Sequence, residues 1–160
     1  MGQTVKVHQL HSLGIDHDKV RFETALSLGA DYVINIDKQD PLEAIKEYTD
    51  GRGADIVVET ANSPKATELA VKIAAIHGRV TLFGLYPSAE ISPLLITRKA
   101  LIIYGDVGQV TRQFRRSVSW LSTRKINVSK LVKYRFGLSQ AKEAFEAAYK
   151  GEVPKVVFEL

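Results

Sequence analysis

The chain contains no cysteine, which excludes a disulfide framework and any thiolate metal site. No apolar run approaches the ~20 residues needed to cross a bilayer. The opening Met1-Gly2-Gln3-Thr4 has no charged-then-apolar leader pattern, so the expectation is a cytoplasmic protein with no membrane contact. Acidic residues are absent between Val107 and Lys142, where Arg112, Arg115, Arg116, Arg124, Lys125, Lys130, Lys133, Arg135 and Lys142 are all basic. A field of one sign attracts phosphates and nucleic acid. Aromatic residues are not regularly interleaved there to stack bases, so a solvated basic face is the favoured reading over nucleic-acid binding. Neither a nucleophile elbow nor a Walker loop occurs, and no catalytic residue is expected in the chain alone.

What the sequence does hold is a soluble-domain composition, 45% hydrophobic and 25% charged over 160 residues. That is enough chain for one domain with a sizeable core. Short β-branched runs recur at Tyr32–Ile36, Asp55–Glu59, Arg79–Phe83 and Leu101–Tyr104. They lack polar alternation, which suits strands buried on both faces of a parallel sheet.

Helical stretches separate these runs. Asp18 or Asp16 can cap a helix carrying Phe22, Ala25 and Leu26. Asp40-Pro41-Leu42-Glu43 combines an N-cap, a proline at the first helical position and an acid at the third. Ser63-Pro64 opens another helix, with Leu69, Ile73 and Ile76 on one face, His77 in its last turn and Gly78 as its stop. Alternation of this kind predicts crossover units on a mostly parallel sheet.

In the last third, Val110, Phe114, Val118 and Leu121 form an amphipathic stripe with arginines beside it. A strand near Lys133–Phe136, a Ser139-capped helix ending at Gly151 and a strand over Val153–Phe158 complete the expected order. Val5, Val7, Leu10 and Leu13 are too sparse for a central strand, so residues 1–13 are expected as an edge strand or poorly ordered.

Gly14–Phe22, Leu28–Asn35, Gly51–Glu59, Gly78–Leu85, Leu138–Phe145 and Lys155–Val157, in that order, resemble the medium-chain dehydrogenase/reductase family, closest to its zinc-type alcohol, polyol and threonine dehydrogenases. The resemblance implies an α/β fold with an incomplete, Rossmann-like, doubly wound and mostly parallel sheet over residues 1–160, as a single truncated dinucleotide-binding domain. The family's glycine-rich phosphate loop and its catalytic domain with Cys, His and Glu zinc ligands have no counterpart in this sequence. A partial NAD(P)-binding domain, inactive alone, with weak or lost cofactor binding and no zinc, is the resulting expectation.

Ligands of open α/β sheets sit beyond the carboxyl ends of the strands. By resemblance, Phe83, Gly84, Leu85, Asp106, Val107 and Gly108 would hold the nicotinamide carboxamide, with Thr60, Ala61 and Asn62 lining the approach. Arg21 would reach the adenosine ribose and Lys155 the pyrophosphate. Gly14 would stand where an acid usually ends the second strand, which tilts slightly toward NADP, although nearby Asp16 weakens that preference. The segment Ile91–Ile96 would run along a sheet edge and pair with its twin in a homodimer.

The spacing of His8, His11 and His17 is a poor match to metal-ligand patterns, and surface histidines are the favoured reading. Glu59, ending an apolar strand, could act as an acid or base, but no partner is placed beside it. Two alternatives remain open. One is a non-catalytic interaction module using the basic stretch 112–135, and the other a subunit completed by a separate catalytic chain.

Overall fold

A computed structural model describes residues 11–105, 111–129, 131–132, 134–150 and 155–159. In chain order its first elements are β1 (Leu13–Asp16), α1 (Lys19–Ser27), β2 (Tyr32–Asn35), α2 (Pro41–Tyr48), β3 (Ala54–Glu59) and α3 (Pro64–Ile73). They are followed by β4 (Ala74–Leu82), α4 (Pro93–Lys99), β5 (Ile102–Gly105), α5 (Thr111–Ser122), β6 (Tyr134–Gly137), α6 (Ala141–Tyr149) and β7 (Val156–Glu159). The expectations for residues 1–10, Asp106, Val107, Gly108, Lys133 and Gly151–Pro154 lie outside the described residues. The chain forms two compact units, residues 35–110 and residues 1–34 with 111–160.

The 35–110 unit is built on a three-stranded parallel sheet in the order β3-β4-β5. Asp40 caps α2 by accepting from the Leu42 and Glu43 N–H groups, with Pro41 opening the helix, as the local sequence predicts. Val57 and Glu59 of β3 and Val80 of β4 are buried, as are Thr67, Ala70, Val71 and Ile73 of α3. Burying side chains such as Val71 and Val80 contributes about 1.5–3 kcal/mol each. The opposite sheet face departs from the two-sided burial that the apolar runs suggest. Ile56 and Val58 are 64% and 60% exposed, and Ile102 and Tyr104 are exposed across the same ladder.

Helix α3 also ends earlier than its apolar periodicity suggests. It stops at Ile73, and Ala74 is already extended with ψ 140°. The Lys99 ammonium donates to the carbonyls of Lys72 and Ala74 at 2.7 Å and of Val71 at 3.3 Å. Carbonyls that a further helical turn would occupy are thus satisfied from α4. His77 consequently sits within β4 at φ 61°, not in a helical last turn. Gly53, at φ 86°, lies against the chain leaving α3, where a Cβ would meet the Ile73 carbonyl oxygen at 2.7 Å.

The apolar segment expected as a sheet edge is corrected as well. Pro93–Ile96 is the first half of α4, with Ser92 as N-cap accepting from Leu95 N–H at 3.4 Å. Proline at the first helical position favours a helix start over a strand pairing.

In the other unit, β1 and β2 form one two-stranded sheet and β6 and β7 a parallel pair. Asp18 caps α1, accepting from Val20 N–H at 2.7 Å. Helix α6 buries Ala144 completely, and Phe145 meets Phe158 of β7 at a ring separation of 6.2 Å. Ser139 does not cap α6. It lies in a 3-10 turn over Leu138–Gln140, where the Gln140 side chain accepts from Gly137 N–H at 3.2 Å. Every residue of α5 is exposed, including Phe114, Val118 and Leu121 of its apolar stripe. Among the described residues, no helix is long and apolar enough to cross a membrane.

Candidate functional site

In the 35–110 unit, parallel pairing sets Glu59 opposite Leu82, so β3 and β4 release their chains side by side. Phe83 N–H donates back to the Glu59 carbonyl at 2.9 Å, carrying the pairing one residue further. The two loops that follow are Thr60–Asn62 and Phe83–Leu85.

They are fastened by side chains. One Glu59 carboxylate oxygen, Oε1, accepts from Ala61 N–H at 2.7 Å, and Oε2 accepts from Gly84 N–H at 3.3 Å. Asn62 Oδ1 accepts from Leu85 N–H at 2.6 Å, with Asn62 itself at φ 56°. A Cβ on residue 84 would approach Glu59 Oε2 to 2.6 Å and the Asn62 backbone to 3.0 Å, so the loops close only with glycine there. Glu59 is 4% exposed, whereas Thr60, Ala61, Asn62, Phe83 and Leu85 are exposed. The result is a rim of exposed residues over a buried carboxylate. Burial, and then the Glu59 charge, push the Tyr86 phenol above its ordinary pKa.

The sequence-predicted residues Thr60, Ala61, Asn62, Phe83, Gly84 and Leu85 are therefore brought together within this unit. The strand that would lead to Asp106, Val107 and Gly108 ends at Gly105, beyond which the expectation lies outside the described residues. Both Glu59 carboxylate oxygens accept from backbone N–H groups and fasten the two loops.

In the unit holding β1, the strand's carboxyl end is Asp16, not Gly14. Gly14 is the second residue of β1, where a Cβ would touch Val33 and Ala25 at ordinary packing distance. Asp16 Oδ1 accepts from the N–H groups of His17 at 2.7 Å and Asp18 at 3.2 Å. Arg21 donates to Asp16 Oδ2 at 3.2 Å, and its Nε lies 3.8 Å from Asp18 Oδ2. Burial opposes ionisation of Asp16, but the two backbone N–H groups and the Arg21 guanidinium together hold its carboxyl below the ordinary value. Arg21, itself exposed, is thus paired with two carboxylates. Lys155, just before β7, is exposed.

Asp16 is the functional candidate that sequence reasoning set aside. The signal was present, since it is the first acid after the apolar run Leu13–Ile15, immediately before the cap of α1. The described residues hold no zinc-ligand cluster. Among the described residues no three His, Asp or Glu side chains converge, and the sequence supplies no cysteine.

Comparison with known proteins agrees with this architecture. Residues 1–123 match the sequence profile described as zinc-binding dehydrogenase. The L-threonine 3-dehydrogenase of Pyrococcus abyssi is 37% identical over 145 residues, covering 88% of this chain and 41% of that protein. The sorbitol dehydrogenase of Bacillus subtilis is 33% identical over 147 residues, covering 89% of this chain and 41% of that protein.

Among solved structures, benzyl alcohol dehydrogenase from Acinetobacter calcoaceticus superposes with a TM-score of 0.82 at 27% identity, covering 92% of this chain and 42% of that one. An alcohol dehydrogenase from E. coli, solved with NADH, superposes with a TM-score of 0.83 at 25% identity, covering 94% and 44%. The chain spans 41% of the length of the threonine and sorbitol dehydrogenases it matches. With its parallel strands, intervening helices and matched profile, this chain belongs to the zinc-binding dehydrogenase family.

Proposed function

We propose that this chain is the nicotinamide-dinucleotide-binding part of a dehydrogenase acting on a hydroxyl-bearing substrate, and that it selects NAD over NADP. The observation that carries the cofactor choice is Asp16 at the end of β1, with Arg21 tied to it and to Asp18. A carboxylate there accepts hydrogen bonds from ribose hydroxyls and repels a 2′-phosphate. An arginine already held by two carboxylates offers a phosphate little uncompensated charge. Asp16 thus takes the ribose-side role that Gly14 could not fill, and the slight tilt toward NADP is reversed.

When bound, the nicotinamide accepts or donates the hydride. The chain's own contribution is to hold and orient it. By resemblance to the family, the segment Phe83 to Leu85 would hold the carboxamide and Thr60 to Asn62 would line the approach. Lys155 would face the phosphates. NADH in the E. coli relative and the alcohol-acting names of the other relatives support this reading. Pairing of two copies belongs to the same proposal, with the exposed Leu94 of α4 on the surface concerned; a single monomer boundary in sedimentation velocity contradicts it.

Asp16→Asn tests the cofactor assignment. Removing the charge weakens NAD and frees Arg21 toward a 2′-phosphate, so the variant is expected to bind NADP at least as well as NAD. Unchanged preference in the variant contradicts the assignment.

A second reading rests on α5, whose residues are all exposed and whose Arg116 guanidinium lies 5.4 Å from the Trp120 ring centre. There the chain would dock an acidic partner through Arg112, Arg115 and Arg116. Retention on an acidic matrix that survives charge reversal at Arg115 and Arg116 excludes it.

A further inference from the structure

Glu59 is a buried carboxylate with no ion pair among the described residues. Its hydrogen bonds come from the backbone N–H groups of Ala61 and Gly84. Such donors spread a negative charge but do not cancel it, and burial leaves it little screened by solvent or salt. Gly84 lies directly against Oε2, with no room for a side chain between them, so the carboxylate sits immediately beneath the Phe83–Leu85 loop.

We propose that Glu59 is both the positioning residue of the nicotinamide rim and a redox-state discriminator, favouring the oxidised, cationic cofactor over the reduced, neutral one. This rests on the reading of Thr60–Asn62 and Phe83–Leu85 as the nicotinamide side of a dinucleotide site. The oxidised ring carries a positive charge and the reduced ring none, so a fixed negative charge beneath the rim acts on one form only. Loop fastening, by contrast, acts on both forms equally, because both use the same backbone groups. The two roles are therefore separable by the ratio of two affinities. A bias of this kind favours substrate oxidation at the cofactor-loading step, since the form that loads is the hydride acceptor.

The test is titration of the full chain, wild type and Glu59→Gln, with NAD+ and with NADH, using ligand-observed NMR at millimolar cofactor. Glutamine can still accept one of the two N–H bonds. The expected result is a fall of about tenfold in the variant's preference for NAD+ relative to NADH, through weaker NAD+ binding, the effect of one nearby charge at low solvent screening.

Equal weakening of both forms, or no change, overturns the discriminator role while leaving the dinucleotide reading intact. Binding of neither form by the wild type overturns the reading and the proposal together. Should Glu59→Gln not hold the fold, Glu59→Asp keeps the charge but draws it back by one methylene, and it is expected to move the ratio in the same direction by about twofold. An unmoved ratio in the aspartate variant overturns the proposal as well.

Discussion

Gly84 lies so close over Glu59 that a Cβ on residue 84 would meet the carboxylate oxygen Oε2 at 2.6 Å. The same Cβ would press on the Asn62 backbone at 3.0 Å, so the close approach of the two loops at this point depends on glycine. Gly84→Ala is expected to part the loops, break the Glu59–Gly84 bond and destabilise the chain by about 1–3 kcal/mol. Chemical denaturation reads the loss. Amide resonances of Ala61 and Leu85 unchanged from wild type contradict the fastening.

Gly53 makes a second, independent case. There a Cβ would meet both the Ile73 carbonyl oxygen at 2.7 Å and an unfavourable φ of 86°. Gly53→Ala is expected to cost about 2 kcal/mol or more, because clash and left-handed backbone add. A thermal midpoint within a degree or so of wild type contradicts this.

Lys99 joins α4 to the end of α3. Burial lowers its ammonium's pKa, and three carbonyls accept its hydrogen bonds. Lys99→Met keeps the apolar stem and removes the donors, and is expected to cost about 1–3 kcal/mol through the unpaired carbonyls. Hydrogen exchange is expected to quicken first at the amides of Ala70 to Ile73. Unaltered protection there contradicts the capping role.

Asp16 gives a pH-dependent prediction. Its native pKa is held below the ordinary 3.8, so the unfolded chain binds the proton more readily. The stabilisation is present in full above that ordinary value and is lost as pH falls through the lowered native value. Wild type is therefore expected to exceed Asp16→Asn in stability near neutral pH, with the gap closing as the pH falls below the ordinary carboxylate value. A gap that widens on acidification contradicts the sign.

Much of this architecture was legible because its signals are local. Asp40-Pro41 marks α2, Asp18 marks α1, and the β-branched runs mark the strands, since capping and strand preference are decided within a few residues. The end of α3 was illegible for the opposite reason. The group that satisfies its last carbonyls, Lys99, is 25 to 28 residues further along the chain.

Strand limits are similarly blind to a two-residue shift, which is how Gly14 stood in for Asp16 as the end of β1. Pro93 shows a signal present but outweighed: Ser92-Pro93 repeats the Ser63-Pro64 pattern that opens α3, yet the apolar run after it reads equally well as an edge strand. The rim itself was found at the level of its loops. The buried carboxylate that fastens them reads in sequence as a chemical group, because nothing local reveals that both its oxygens are spent on backbone.

NAD-selective dinucleotide binding through the Asp16 end of β1 is read out by calorimetric titration of the wild-type chain with NAD and with NADP. Saturable NAD binding at least about tenfold tighter than NADP is expected; equal affinities, a preference for NADP, or saturable binding of neither would contradict it.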